Sequence, residues 1–181
     1  MPVATEQQLP TGAWKLDPIH SSASFAVKHM VVATFRGRFE DFDATLEVGE
    51  DGSTQLVGTV NANSIVVKDE NLAAHLKTAD FFDTENYPEL RYEARNLRTE
   101  GDELVVDGEL TIKGNTHPVE GRGALIGPQE DIAGNTKIGV TLETEIDRTK
   151  YGLNWNAPLP KGGFALANDV QLIAELQFAQ E

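Results

Sequence analysis

The chain has 181 residues, about one domain's worth, with 15 Lys and Arg against 29 Asp and Glu and a formal charge of −14. That balance argues against a nucleic-acid partner, because phosphate backbones are held by clustered Lys and Arg that displace counterions. There is no cysteine, which excludes disulfides, thiol catalysis, zinc knuckles and iron–sulfur clusters.

Hydrophobic residues make up 40 %, enough for a core where a disordered acidic chain would be poorer. Residues 1–12 have no basic start followed by an apolar run. Nothing later reaches the roughly 18 apolar residues of a membrane span. A cytoplasmic protein with no integral membrane segment is therefore expected, provided no leader has been removed. The acidic balance also disfavours flat adhesion to an anionic membrane, so any lipid would have to be enclosed. Residues 1–12 read as a disordered tail and residues 13–181 as a single domain.

From Ala13 onward the dominant signal is a period of two, which puts successive side chains on opposite faces of a strand. Phe25, Val27 and His29 share one face; Phe42, Ala44, Leu46 and Val48 share another. The pattern recurs in Leu56, Gly58 and Val60, in Leu90, Tyr92 and Ala94, and from Leu104 through Val106, Gly108 and Leu110 to Ile112. It returns in Ala124 and Ile126, from Ile138 through Val140, Leu142 and Thr144 to Ile146, and from Val170 through Leu172, Ala174 and Leu176 to Phe178. Turn chemistry falls at Gly49–Gly52, Glu100–Asp102, Lys113–Asn115 and Ala133–Asn135, and connections so short imply antiparallel neighbours. One stretch looks helical: Asp69 can cap a segment with Leu72, Leu76 and Ala79 on one side and His75 beside them.

About eight half-buried strands must close into a sandwich or a barrel, and period alone does not choose. Small residues on the apolar faces, at Ala44, Gly58, Ala94, Gly108, Ala124 and Ala174, suit a hollow interior, although small and large residues also alternate in filled barrels to fit the taper.

The four histidines, His20, His29, His75 and His117, form no metal-binding spacing, and no nucleophile elbow or dinucleotide fingerprint is present. No metal and no resident cofactor are expected. Aromatic residues are more suggestive. Phe25, Phe35, Phe39 and Phe42 come early, Phe81, Phe82 and Tyr87 follow the helix, and Trp155 and Phe164 flank a Pro/Gly loop. A lumen lined by such groups would bury a long hydrocarbon at roughly 25 cal/mol per Å².

Several ordered motifs carry a family resemblance: Trp14-Lys15-Leu16-Asp17-Pro18-Ile19-His20-Ser21, then His75-Leu76-Lys77-Thr78-Ala79-Asp80-Phe81-Phe82-Asp83 with Tyr87-Pro88, then Gly108-Glu109-Leu110-Thr111-Ile112-Lys113-Gly114, then Ile146-Asp147-Arg148 with Tyr151-Gly152 and Asn168-Asp169-Val170. From Trp14 to Leu176 the chain resembles the YceI-like family of polyisoprenoid-binding proteins. The resemblance implies an all-β, extended eight-stranded antiparallel lipocalin-like barrel, with one short helix near the mouth and a long apolar pocket for an isoprenoid-type lipid. Similar proteins can pair, so a homodimer is a further expectation. Where the family commonly has Arg-Asp before x-His-Leu, this chain has Leu72-Ala73-Ala74-His75-Leu76. That departure points to a less charged head group, such as a quinone or amide.

The expected function is non-enzymatic binding, transport or storage of a long isoprenoid-type lipid, a polyprenyl chain or an isoprenoid quinone. Phe25, Val27, His29, Phe42, Leu76, Phe81, Phe82, Trp155 and Phe164 are the expected apolar wall, and His20 and Arg148 the polar contacts. The rival is an enzyme acting on a small apolar substrate in the same pocket, with His20 or His29 as general base.

Overall fold

The computed structural model describes residues 9–181. Residues 1–8 of the expected tail lie outside the described residues. The rest of that segment is engaged: Leu9 packs on the core, Pro10 accepts a hydrogen bond from Trp14 Nε1 at 3.1 Å, and the first strand already begins at Gly12.

Alternating segments become strands β1 (Gly12–Leu16), β2 (Ser22–His29), β3 (Ala33–Phe39), β4 (Phe42–Val48), β5 (Thr54–Asn61), β6 (Ile65–Val66), β7 (Glu89–Arg95), β8 (Arg98–Glu100), β9 (Glu103–Ile112), β10 (Asn115–Glu130), β11 (Thr136–Asp147) and β12 (Leu166–Gln180). The helix α1 spans Glu70–Leu76, and Asp69 Oδ1 accepts from Leu72 N at 2.9 Å as its cap. It stops before Ala79, which is exposed.

Eight strands run in the order β1-β4-β5-β7-β9-β10-β11-β12, and β12 pairs back onto β1 to close an antiparallel barrel. Strand β12 meets β1 near its end, Phe178 opposite Leu16, and β2 nearer its start, Leu172 opposite Phe25. Hence β1 and β2 are halves of one bent strand, broken by the turn Pro18–His20 that Asp17 caps. The same holds for β3 with β4, and for β5 with β6, because β3 pairs with β2 and β6 while β4 pairs with β1 and β5. Bending lengthens the barrel: the 15 residues of β12 run roughly 50 Å at strand rise.

At one end the interior is solid. Trp14, Leu46, Leu104, Ile138, Val140 and Phe178 are each almost fully buried and pack together. Burying one such side chain contributes about 1.5–3 kcal/mol. At the other end a second cluster, including Phe25, Phe39, Leu76 and Phe81, lines rather than fills the barrel.

Two expectations about inward faces need correction. Strand β10 turns Leu125 inward opposite Val140, while Ala124 lies opposite Thr141 and Ile126 is 61 % exposed. The inward positions before Leu125 are Gly121 and Gly123, which carry no apolar signal. A Cβ on Gly123 would collide with the Thr141 carbonyl, so glycine there lets β11 approach. Gly108 is not hollow space either. A Cβ there would stand 2.7 Å from Tyr92 Cε2, because that ring lies across the strand with its hydroxyl donating to Val119 O at 2.9 Å.

Candidate functional site

Above the packed end lies a cavity of about 650 Å³, inside the range of small-molecule sites. At roughly 30 Å³ per water-sized group it would take on the order of twenty methylenes. Toward the packed end it is bounded by Ala44, Leu56, Tyr92 and Ala174, with Gly58 beside them. A Cβ on Gly58 would meet nothing closer than the Asp43 carbonyl, at 4.0 Å, so this small residue does leave open volume.

The part away from the packed end is aromatic. The Phe25 ring centroid is 6.2 Å from Phe35 and 5.9 Å from Phe39, and Phe39 meets Phe82 edge-on at 5.8 Å. Across the opening, α1 and the loop after β11 close over the barrel through Phe81, Trp155 and His75. The His75 ring stands edge-on to both Phe81, at 5.1 Å, and Trp155, at 4.9 Å. Its Nε2 lies 2.9 Å from Asp80 Oδ2. Offset and edge-on rings of this kind add about 0.5–1.5 kcal/mol per pair beyond area burial, so the cover is fixed by packing.

Of the wall residues expected from sequence, Phe25, Val27, His29, Leu76, Phe81, Phe82 and Trp155 border the cavity. Phe42 does not: it begins β4, just past the bend, and packs against the solid end. Phe164 is 60 % exposed on the loop outside, bridged to Pro158. His20 lies in the turn between β1 and β2 with its side chain 64 % exposed, its Nδ1 2.8 Å from Asp17 Oδ2. Leu110, Val170 and Leu172 border the cavity without having been singled out for it, and so do Phe35 and Phe39, which the sequence offered among the suggestive aromatics but not in the expected wall. The signal was present in the same period of two, with Gly37 between the two phenylalanines.

Arg148 is the buried cation of the site, 4 % exposed, in the turn that follows β11. Its Nε donates to Ala167 O at 2.9 Å, and Nη1 donates to Leu153 O at 2.5 Å and Trp155 O at 2.9 Å. The guanidinium thus ties the covering loop to the barrel. Asp147, which caps this turn, is held below the usual carboxylate value by the Thr149 hydroxyl and backbone N–H. Burial pushes Arg148 down from its ordinary value, opposed by the Asp147 charge. Burial likewise pushes Tyr92 up to about 12, reinforced by Asp107 and Glu120. Among the described residues no group of three or more His, Asp or Glu is placed to hold a metal ion.

Residues 14–178 match the YceI-like domain family. A UPF0312 protein of Staphylococcus aureus is 32 % identical over 169 residues, covering 90 % of this chain and 95 % of that one. Among solved structures, Burkholderia cenocepacia BcnA superposes with a TM-score of 0.76 at 21 % identity, covering 90 % of this chain and 98 % of that one. A polyisoprenoid-binding domain from Saccharophagus degradans, described as implicated in plant cell wall breakdown, gives 0.65 at 15 % identity, over 93 % and 98 % of the two chains. At such identities the likeness to solved structures concerns the fold.

Proposed function

The chain belongs to the YceI-like family, and from that premise we propose that it binds a long isoprenoid-type lipid in the barrel cavity, as a carrier or store and not as a catalyst. The observation that carries this reading is the cavity itself: a deep space of about 650 Å³, walled almost wholly by aliphatic and aromatic side chains, above a solid floor. Burial of each methylene there contributes about 0.8 kcal/mol, so a chain can be held without any polar contact along its length. The Saccharophagus domain of the same fold, described as polyisoprenoid-binding, supports the ligand class. Either a polyprenyl chain or the tail of an isoprenoid quinone suits such a wall.

Organic extraction of purified protein followed by mass spectrometry, then uptake of prenyl lipids by the stripped protein, is the test. Co-extracted or re-bound prenyl lipid is expected. Protein that arrives empty and takes up none of them would overturn the proposal.

The competing enzymatic reading shifts its base. His20 lies outside the cavity, and His29 at its rim has no side-chain hydrogen bond among the described residues. The imidazole with a carboxylate partner on the cavity wall is His75, beside Asp80. A turnover screen of His75→Ala separates the two: a binder changes affinity alone, whereas a general base contributes about 10²–10⁴ in rate.

A further inference from the structure

Arg148 borders the cavity, and only part of its guanidinium is used. Nε and Nη1 hold three backbone carbonyls, but Nη2 is buried and has no hydrogen-bond partner among the described residues. The adjacent carboxylate is engaged elsewhere: Asp147 Oδ1 accepts from Thr149 N at 2.9 Å and from Thr149 Oγ1 at 2.6 Å. No Asp or Glu of the described residues lies within ion-pair distance of Arg148. A guanidinium stays protonated in proteins, and a buried charge is costly unless paired. The site therefore has a place for a negative oxygen next to an apolar space.

We propose that Arg148 Nη2 receives the head group of the cavity's lipid, and that this head is an anionic oxygen acceptor, a phosphate or a carboxylate. This rests on the lipid reading of the cavity. A neutral carbonyl would satisfy the N–H and leave the charge; an anion answers both needs. The assignment runs against the quinone or amide head that the altered α1 motif suggested, because the cation that matters stands on the turn after β11.

The test uses the stripped wild-type protein and one chain with three heads: geranylgeranyl monophosphate, geranylgeranoic acid and geranylgeraniol, each displacing a fluorescent fatty-chain probe, with inorganic phosphate alone as a fourth arm. The two acids are expected to compete at least about tenfold better than the alcohol, the weight of a charge-assisted hydrogen bond. Arg148→Gln should bring the three within about threefold by weakening the acids alone. Equal competition by all three on the wild type overturns the head-group assignment while leaving the chain reading intact. Inorganic phosphate competing as well as the lipids overturns it in favour of a free-anion site. Failure of every chain overturns both. If Arg148→Gln does not fold, the wild-type series decides.

Discussion

The ring of Phe25 on β2 occupies the space where a side chain at Gly37 on β3 would stand. A Cβ built there would lie 2.7 Å from Phe25 Cε1 and 3.0 Å from Val67 Cγ1. The two residues are direct cross-strand partners, and Phe35 and Phe39 on either side restrict where the ring can go. Gly37→Ala should therefore cost about 1–3 kcal/mol by overpacking. In a double-mutant cycle by urea denaturation, Phe25→Leu should absorb most of that cost. Strict additivity would show that the ring is free to move away.

Gly58 is the opposite case, a glycine facing open volume. Gly58→Leu should leave the fold as stable or about 0.5–1 kcal/mol more so, since glycine is a poor strand residue. Loss of room for two methylenes, at about 0.8 kcal/mol each, should weaken the best-fitting prenyl chain roughly tenfold. Titration of stripped protein with chains of increasing length checks both the direction and the shift of the optimum to shorter chains.

Cap chemistry controls the cover over the cavity. Asp69→Ala removes the acceptor for Leu72 N and should cost about 0.5–2 kcal/mol. Because α1 has only 7 residues and touches the barrel through few side chains, the loss should be local. Amide exchange across Glu70–Leu76 and the release rate of bound lipid should both rise. The thermal midpoint should fall by about 2–4 °C per kcal/mol, or less where opening is confined to the helix.

Acid stability has a defined sign. Asp17 is lowered by the hydrogen bond with His20, Asp131 by the Asn135 backbone N–H, and Asp147 by the Thr149 hydroxyl, all from an ordinary value of 3.8. Carboxylates depressed by folding add stability that is complete above the unfolded value and disappears as pH drops through the folded one. The urea midpoint should therefore be insensitive to these three groups from neutrality down to about pH 5 and decline below about pH 4. Asp147→Asn should flatten that decline; an unchanged profile would remove Asp147 from the account.

The barrel was largely legible because period two survives in eight strands whose inner faces meet one interior, as in Phe42–Val48 and Ile138–Ile146. It failed where glycine replaced the apolar signal: β10 faces inward through Gly121, Gly123 and Leu125, so alternation pointed to Ala124 and Ile126 instead. The turn at Met30–Val32 carries no Gly, Asn or Asp, so nothing announced it. Site residues on regular strands, such as Phe25 and Val27, were readable. Phe42 and Phe164 were not, because a strand bend and a loop decide where they stand. Arg148 needed three dimensions: its isolation follows from where Asp147 and the covering loop send their hydrogen bonds.

Trp14 and Phe178 stopper one end of the barrel, which makes the vessel a cup and not a pipe. A lipid bound as proposed would have to leave by the way it came in, last part first. With Arg148 receiving its head, the tail would descend and the head would stay uppermost.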